Sequence, residues 1–389
     1  MGSAKENCEG DLVEDSYGEI LPEEEVRKWL GQNSEVLAMY DLLMVNLQKR
    51  TITSSYSCAD ETAKLLTRII EEFSLQNLEI VFKNFRSMGF YLLKQQPMAL
   101  CIMNVILRFI SVLCSQIDEL DPDGKNRFKN PSLDTTLYKI HHKNYMNSLK
   151  DINEEEYKET ILEVVEEEII HDINYAYEGI QKKTDTYINN HDTIMIHGES
   201  HTVTQLLISL NKTKHIHIIQ CESAPLHNGH KSAHILCKNN IKTTLIPDAN
   251  IYAVMKQVDK VILPAHTVLA NGGVLCQSGA YLLAMAARYY RIPVIVLSGM
   301  YKLCPIYTND QHQFNDINSP QTVLPFAKRN EDLIKTNIIN PIYDYIPPEY
   351  INIIITSNGE YPPSAIFRLI RESYTLRDVL YPIYIQNDL

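Results

Sequence analysis

The hydrophobic pattern of this chain changes period at Asp192. Before that point apolar residues recur every three or four positions, the spacing that lines one face of a helix. After it, short runs rich in Ile and Val alternate with helical stretches. The runs Thr193–Ile196, His215–Gln220, Thr243–Ile246, Lys260–Leu263, Pro293–Leu297 and Ile351–Ile355 read as strands. Helices are predicted between them near Thr202–Ser209, His230–Lys238, Ile251–Lys256, Gly279–Tyr290 and Ser364–Glu372. Strand, helix, strand at this spacing marks a parallel sheet with crossover helices. The predicted class is α/β: a helical N-terminal domain, then a Rossmann-like domain with an open, mostly parallel sheet. The expected boundaries are an unstructured tail at 1–20, a helical domain at 21–190 and the sheet domain at 191–389. A chain of 389 residues has ample length for two or three such units.

Within the helical half, Pro22-Glu23-Glu24-Glu25 suits a first turn, with proline at its first position and carboxylates at the positive helix end. Thr62, Leu65, Leu66, Ile69, Ile70 and Phe73 repeat at helical spacing, and a second run follows from Leu78 to Leu93. Pro97 is expected to open a helix over Met98–Ile117. Its apolar stretch to Cys114 is too short for a membrane span and carries Asn104 and Arg108, so it reads as a buried helix. The segment from Asp121 to Pro131 is rich in breakers and reads as a surface loop. A long helix is predicted through Leu162, Val165, Ile169, Ile173, Ala176 and Ile180, its acidic outer face from Glu154 to Glu168 being a solvated surface.

Charge narrows the function. The 36 basic and 48 acidic residues leave a net charge of −12, which argues against a phosphate-backbone surface and so against direct nucleic-acid binding. The acidic start, MGSAKENCEGDLVED, has no apolar segment of the secretory kind. Eight scattered cysteines form no CxxC pair and read as reduced thiols.

Ligands of open α/β sheets lie beyond the carboxyl ends of the strands, which selects the loops at Gly198, Glu222, Asp248, His266 and Ser298. Gly198-Glu199-Ser200-His201-Thr202 has Thr202 where a nucleophile elbow needs glycine, so a serine hydrolase is not supported. No GxGxxG follows a strand. Ser200 suits a helix N-cap, and the same turn could offer backbone N–H groups to an anion. His227, His230 and His234 invite a zinc reading, but they match no closed zinc set, and structural histidines with no metal are expected. Ala270-Asn271-Gly272-Gly273 reads as a turn between a strand end and a helix. Glu222, Asp248 and His266, at successive strand ends, are candidate acid–base groups.

These turns also carry a resemblance. His266-Thr267-Val268-Leu269-Ala270-Asn271-Gly272-Gly273, then Gly279 and Ile292-Pro293-Val294-Ile295-Val296, resembles the family of the alpha, beta and delta regulatory subunits of translation initiation factor 2B. Sugar-phosphate isomerases such as methylthioribose-1-phosphate isomerase share that family. Gly198-x-Ser200-x-Thr202-Val203, Cys221-Glu222-Ser223-Ala224-Pro225, Gly229-His230, Asp248-Ala249 and Met300-Tyr301-Lys302-Leu303 are similar as well. The likeness is dense over 192–375 and looser before it, where Leu65–Phe73 and Gln95-Gln96-Pro97 still resemble the family's helices.

The isomerases of the family carry a cysteine in the first loop and an aspartate in a GADR-like stretch. Here those places hold Gly198-Glu199-Ser200 and Pro264-Ala265-His266-Thr267, so the departures argue against isomerase activity. Thr322-Val323-Leu324-Pro325-Phe326, Tyr343-Asp344-Tyr345-Ile346-Pro347-Pro348-Glu349 and Pro363-Ser364-Ala365-Ile366-Phe367-Arg368-Leu369 look most like the beta branch. The resemblance implies a cytoplasmic, non-catalytic scaffold and regulatory subunit of the guanine nucleotide exchange factor for initiation factor 2. It implies delta, alpha and catalytic subunits as partners, and sensing of the phosphorylated alpha subunit of initiation factor 2. No cofactor and no membrane contact is implied, and a homodimer is expected for the isolated chain. The alternative is a sugar-phosphate isomerase or a sugar-phosphate- or nucleotide-binding relative. Its vestigial phosphate pocket would hold Gly198, Ser200, Asn271, Gly272, Gly273 and Lys302, with Glu222, His230, Asp248 and His266 around it.

Overall fold

The computed structural model describes residues 20–75, 77–120, 154–308, 315–328 and 336–374. The expected tail, Cys8 and the breaker-rich segment after Asp121 lie outside them. The chain opens with helices α1 (Glu23–Leu30), α2 (Ser34–Gln48), α3 (Ser55–Glu72), α4 (Leu78–Gln95) and α5 (Cys101–Leu120). Asn33, Ser54 and Asn77 cap α2, α3 and α4, each side chain accepting from backbone N–H groups of the first turn. Pro22 is the residue before α1 rather than its first position. Helix α5 begins later than Pro97 suggests, and its side chains from Cys101 to Leu107 lie in the core. The two polar residues that exclude it from a membrane both find partners: Asn104 donates to the Tyr301 carbonyl, and Arg108 pairs with Asp172 at 3.3 Å while donating to the Glu168 carbonyl. Among the described residues no helix is long and apolar enough to cross a membrane.

The long acidic helix is not uniform. It runs as α6 (Glu154–Val165), widens into a single π turn over Glu166–Ile170, and continues as α7 (His171–Thr184). The expected stripe is kept: Val165, Ile169, Ile173, Ala176 and Ile180 are buried, while Glu159, Glu163, Glu166, Glu167 and Glu168 face solvent.

From Thr193 the strands are β1 (Thr193–Ile196), β2 (His217–Cys221), β3 (Lys242–Ile246), β4 (Lys260–Pro264), β5 (Thr267–Leu269), β6 (Val274–Gln277), β7 (Val294–Leu297), β8 (Leu303–Cys304), β9 (Tyr343–Ile346), β10 (Ile353–Ile355) and β11 (Glu360–Tyr361). The helices among them are α8 (His201–Leu210), α9 (Asn228–Lys238), α10 (Ile251–Val254), α11 (Ala280–Tyr290) and α12 (Ile366–Ser373). The main sheet has the order β11-β10-β7-β4-β1-β2-β3, parallel except where β11 pairs with β10. The chain steps outward from β1 to β3 and then returns to the other side of β1 for β4, so the strand order reverses between β1 and β4. A crevice opens at that reversal, beyond the carboxyl ends of the two strands.

Alternate strand residues enter two cores, as expected for a sheet covered on both faces. Met195, Ile219, Val261 and Val296 join a core shared with α1 through α6 and α11. Ile194, Ile196, Ile218, Ile262 and Ile295 join a second core closed by α8 and by Ala176 and Ile180 of α7.

A second sheet, with the order β8-β5-β6-β9, was not expected from the sequence. It corrects the reading of Ala270-Asn271-Gly272-Gly273, which joins the antiparallel strands β5 and β6 rather than a strand and a helix. Asn271 accepts from Gly273 N–H and donates to the Thr308 carbonyl and the Tyr345 hydroxyl. Gly272 has φ +79°, and a Cβ there would lie 2.2 Å from the Pro363 carbonyl oxygen. Positive φ and backbone contact together demand glycine.

Candidate functional site

A cavity of about 830 Å³ occupies the crevice between β1 and β4 and extends to the N-terminal helices. The sheet lines it with the turn after β1, Glu199 to Thr202, and with the turn after β4, Pro264 to His266. The helical half supplies Arg50 and the Ser54–Ser55 start of α3, and Tyr301, Lys302 and Tyr343 close it from the second sheet side.

Ser200 caps α8, its Oγ accepting from Val203 N–H at 3.5 Å. His266 is fixed on both ring nitrogens: Nε2 lies 2.9 Å from the Met98 carbonyl and Nδ1 lies 2.9 Å from Ser55 Oγ. A carbonyl can only accept, so the proton sits on Nε2 and the serine hydroxyl donates to Nδ1. Burial pushes this imidazole down to about 4, against the pull of the Met98 carbonyl, and nearby Lys302 lowers it further. The ring also packs on Tyr343, with centroids 4.4 Å apart. Lys302 donates to the Ala265 carbonyl at 2.8 Å. Burial lowers its ammonium to about 8, opposed by the thiols of Cys101 and Cys276. Arg50 at the rim is paired with Asp316 at 2.5 Å. The cavity therefore offers a serine hydroxyl, the N–H groups at the start of α8 and a partly desolvated lysine to a polar ligand.

The sequence candidates divide into three groups. Ser200, His266 and Lys302 line the cavity, and Gly198 lies in the turn that leads to Ser200. Asn271, Gly272 and Gly273 do not line it; they pack the β5–β6 turn against Tyr345 and Pro363. Glu222 lies in the loop after β2, His230 in the first turn of α9, and Asp248 in the turn after β3, packed against that loop. There the Asp248 carboxylate accepts from Ser223 N–H at 3.0 Å and from Ala224 N–H at 2.7 Å, and Ser223 Oγ accepts from Gly198 N–H. Asp248 thus holds a turn in place, and no convergence of Glu222, Asp248 and His266 as an acid–base group is seen. Glu222, His227 and His230 do come together, with one potential donor atom from each all within 4.8 Å of one another.

Sequence reading missed Ser55, which reaches His266 across 211 positions, and His197 at the end of β1. His197 is 2% exposed, has no hydrogen-bond partner on either ring nitrogen among the described residues, and lies 3.8 Å from Asp248. Burial drives its pKa down, while Asp248 and Asp344 oppose that shift. His197 sits between β1 and the Gly198–Thr202 turn, and nothing in that spacing showed that its ring would be buried beside Asp248.

Comparison with known proteins supplies the remaining facts. Residues 51–363 match the model of the Initiation factor 2 subunit family. The chain is 30% identical over 371 residues to "Translation initiation factor eIF2B subunit beta" of Dictyostelium discoideum, covering 87% of this chain and 95% of that protein. It superimposes on the crystal structure of eIF2B beta from Chaetomium thermophilum with a TM-score of 0.68 at 21% identity, over 92% of this chain and 98% of that one. A chain of the tetrameric eIF2B-beta2-delta2 complex from the same organism gives a TM-score of 0.64 at 20% identity, over 91% and 100%. At such identities the structural likeness carries the fold.

Proposed function

This chain belongs to the Initiation factor 2 subunit family, and from that membership we propose that it is a beta-type regulatory and scaffold subunit of initiation factor 2B. The observation that carries the reading is the near end-to-end likeness to the Dictyostelium beta subunit, which leaves little of either chain unmatched. Exchange of guanine nucleotide on initiation factor 2 is then the work of a different subunit, and the chain works in the cytoplasm. A delta-type subunit is its direct partner, with alpha-type and catalytic subunits further out in the complex. Phosphorylation of the alpha subunit of initiation factor 2 would be sensed through differential binding, because added charge favours one bound arrangement over another.

The cavity supports a non-catalytic role. By the resemblance, the family's isomerases use a thiol in the loop that here reads Gly198-Glu199-Ser200, and a carboxylate where this chain has His266. Ser200 is spent on capping α8, and His266 is held neutral between Met98 and Ser55. Co-expression with a delta-type subunit, followed by size-exclusion chromatography with light scattering, tests the assignment. A stable one-to-one or two-to-two complex is expected, together with no exchange activity in the isolated chain. Exchange by the chain alone, or indifference to the delta-type subunit, overturns it.

A second reading rests on Lys302 and the α8 N-terminus meeting in one cavity. The site then binds a sugar phosphate or nucleotide without turning it over, and the ten residues singled out in the sequence contribute unequally. Ser200 and Lys302 would touch the ligand, His266 would only line the wall, and Gly198 would shape the turn. A ligand at a hundredfold excess over its Kd would raise the unfolding free energy by about 2.7 kcal/mol. No shift in melting temperature with ribose phosphates or nucleotides, each at millimolar concentration, removes this reading.

A further inference from the structure

We propose that Glu222, His227 and His230 form a binding site for a divalent transition metal, zinc being the best fit. The three side chains come from one short segment, the loop after β2 and the first turn of α9. Their donor atoms lie within 4.8 Å of one another, and Glu222 Oε2 is 3.7 Å from His227 Nδ1. Zinc bonds of ~2.0–2.1 Å place tetrahedral ligands roughly 3.3–3.5 Å apart, so small rotations of exposed side chains complete the set. Two imidazoles and one carboxylate are the donor set of open zinc sites, whereas magnesium and calcium prefer oxygen alone.

The backbone that carries these donors is fixed independently of any ion. His227 and Ser223 both adopt left-handed conformations, with φ +54° and +60°. Asp248 anchors the loop through two backbone N–H groups. Gly229 N–H donates to the Glu222 carbonyl, and His230 N–H donates to that of His227. A Cβ at Gly229 would lie 1.9 Å from the Cys221 carbonyl oxygen, so the helix start is pressed directly onto the end of β2. This packing brings Glu222 to the histidines, which the sequence separates by five and eight positions.

The start of a helix disfavours a cation, and here the carboxylate of Glu222 opposes that field. The ammonium of Lys231, the next residue in the chain, leans toward Glu199 at 3.9 Å. His234, one turn further along α9, is exposed and outside the group. Leu226 and Asn228, beside the proposed ligands, line the cavity, so a bound metal would stiffen one of its walls.

The test uses tag-free full-length chain stripped with a chelator. Zinc is titrated in competition with a chromophoric chelator, and cobalt is added separately to read its visible absorption. One equivalent of zinc per chain is expected, with a tetrahedral cobalt band. H230A, H227A and E222Q should each weaken binding at least ~10-fold, the range produced by loss of an outer-shell partner alone. H234A should leave it unchanged. Circular dichroism of each variant confirms folding, and E222Q preserves side-chain shape if an alanine variant does not fold. Absence of saturable zinc binding, or binding unaltered in the three ligand variants, overturns the proposal. Equal loss in H234A also overturns it, by moving the site onto the outer face of α9.

Discussion

His266 connects the site to stability. Its ring is locked between Met98 and Ser55 rather than presented to a ligand. Its folded pKa of about 4 lies below the roughly 6.5 of an unfolded histidine, so the unfolded chain takes up the proton first as the pH falls. The stabilisation from the neutral ring is thus complete above about pH 6.5 and is lost as the pH drops toward 4. Between pH 7.5 and 5 the wild-type chain should lose about 2 kcal/mol more unfolding free energy than H266Q, measured by urea denaturation. Parallel pH profiles for the two proteins would show that the imidazole is not held this way. The sequence flagged His266 by its place after a strand, but it gave no sight of Ser55 or of the Met98 carbonyl.

At the scale of elements, periodicity located the six parallel strands of the main sheet and the helices between them. It failed for the antiparallel edge strand β11 and for β5, β6, β8 and β9, which have two to four residues each. The second sheet is held by partners distant in sequence, which local spacing does not show: Cys276 pairs with Asp344, and Val268 with Leu303. Helix starts divide in the same way. Asn33, Ser54 and Ser200 are local caps readable from the chain, whereas α11 is capped by Asp344 of β9. That carboxylate accepts from Gly279 N–H at 2.8 Å and Tyr281 N–H at 3.1 Å. D344A should therefore cost about 1–2 kcal/mol of unfolding free energy despite being 65 residues from the helix it caps. A change within a few tenths of a kcal/mol in chemical denaturation would contradict this.

For the whole molecule, the period change at Asp192 marks where strands begin but not where packing ends. One apolar core runs from Val26 in α1 to Tyr374 beyond α12, and α7, on the helical side of the change, closes the far face of the sheet. The buried Arg108–Asp172 pair joins α5 to α7, and Ser357 donates to the same aspartate from beyond β10. A fragment of residues 191–389 should accordingly expose apolar surface, associate and bind a hydrophobic dye. A monomeric fragment with its own cooperative unfolding transition would show that the sheet half folds alone. What the sequence by itself determined was everything written in local spacing: the α/β class, the helix-then-sheet order, the six parallel strands of the main sheet, and the motifs that carry the family resemblance. Tertiary structure alone decided which strand ends meet across the reversal between β1 and β4. It also decided that Asn271 to Gly273 serve packing, and that Glu222 faces His227 and His230. The reason is physical: periodicity reports which face of an element is apolar, but convergence of side chains depends on how those faces are stacked, and that is set by contacts between residues tens to hundreds of positions apart.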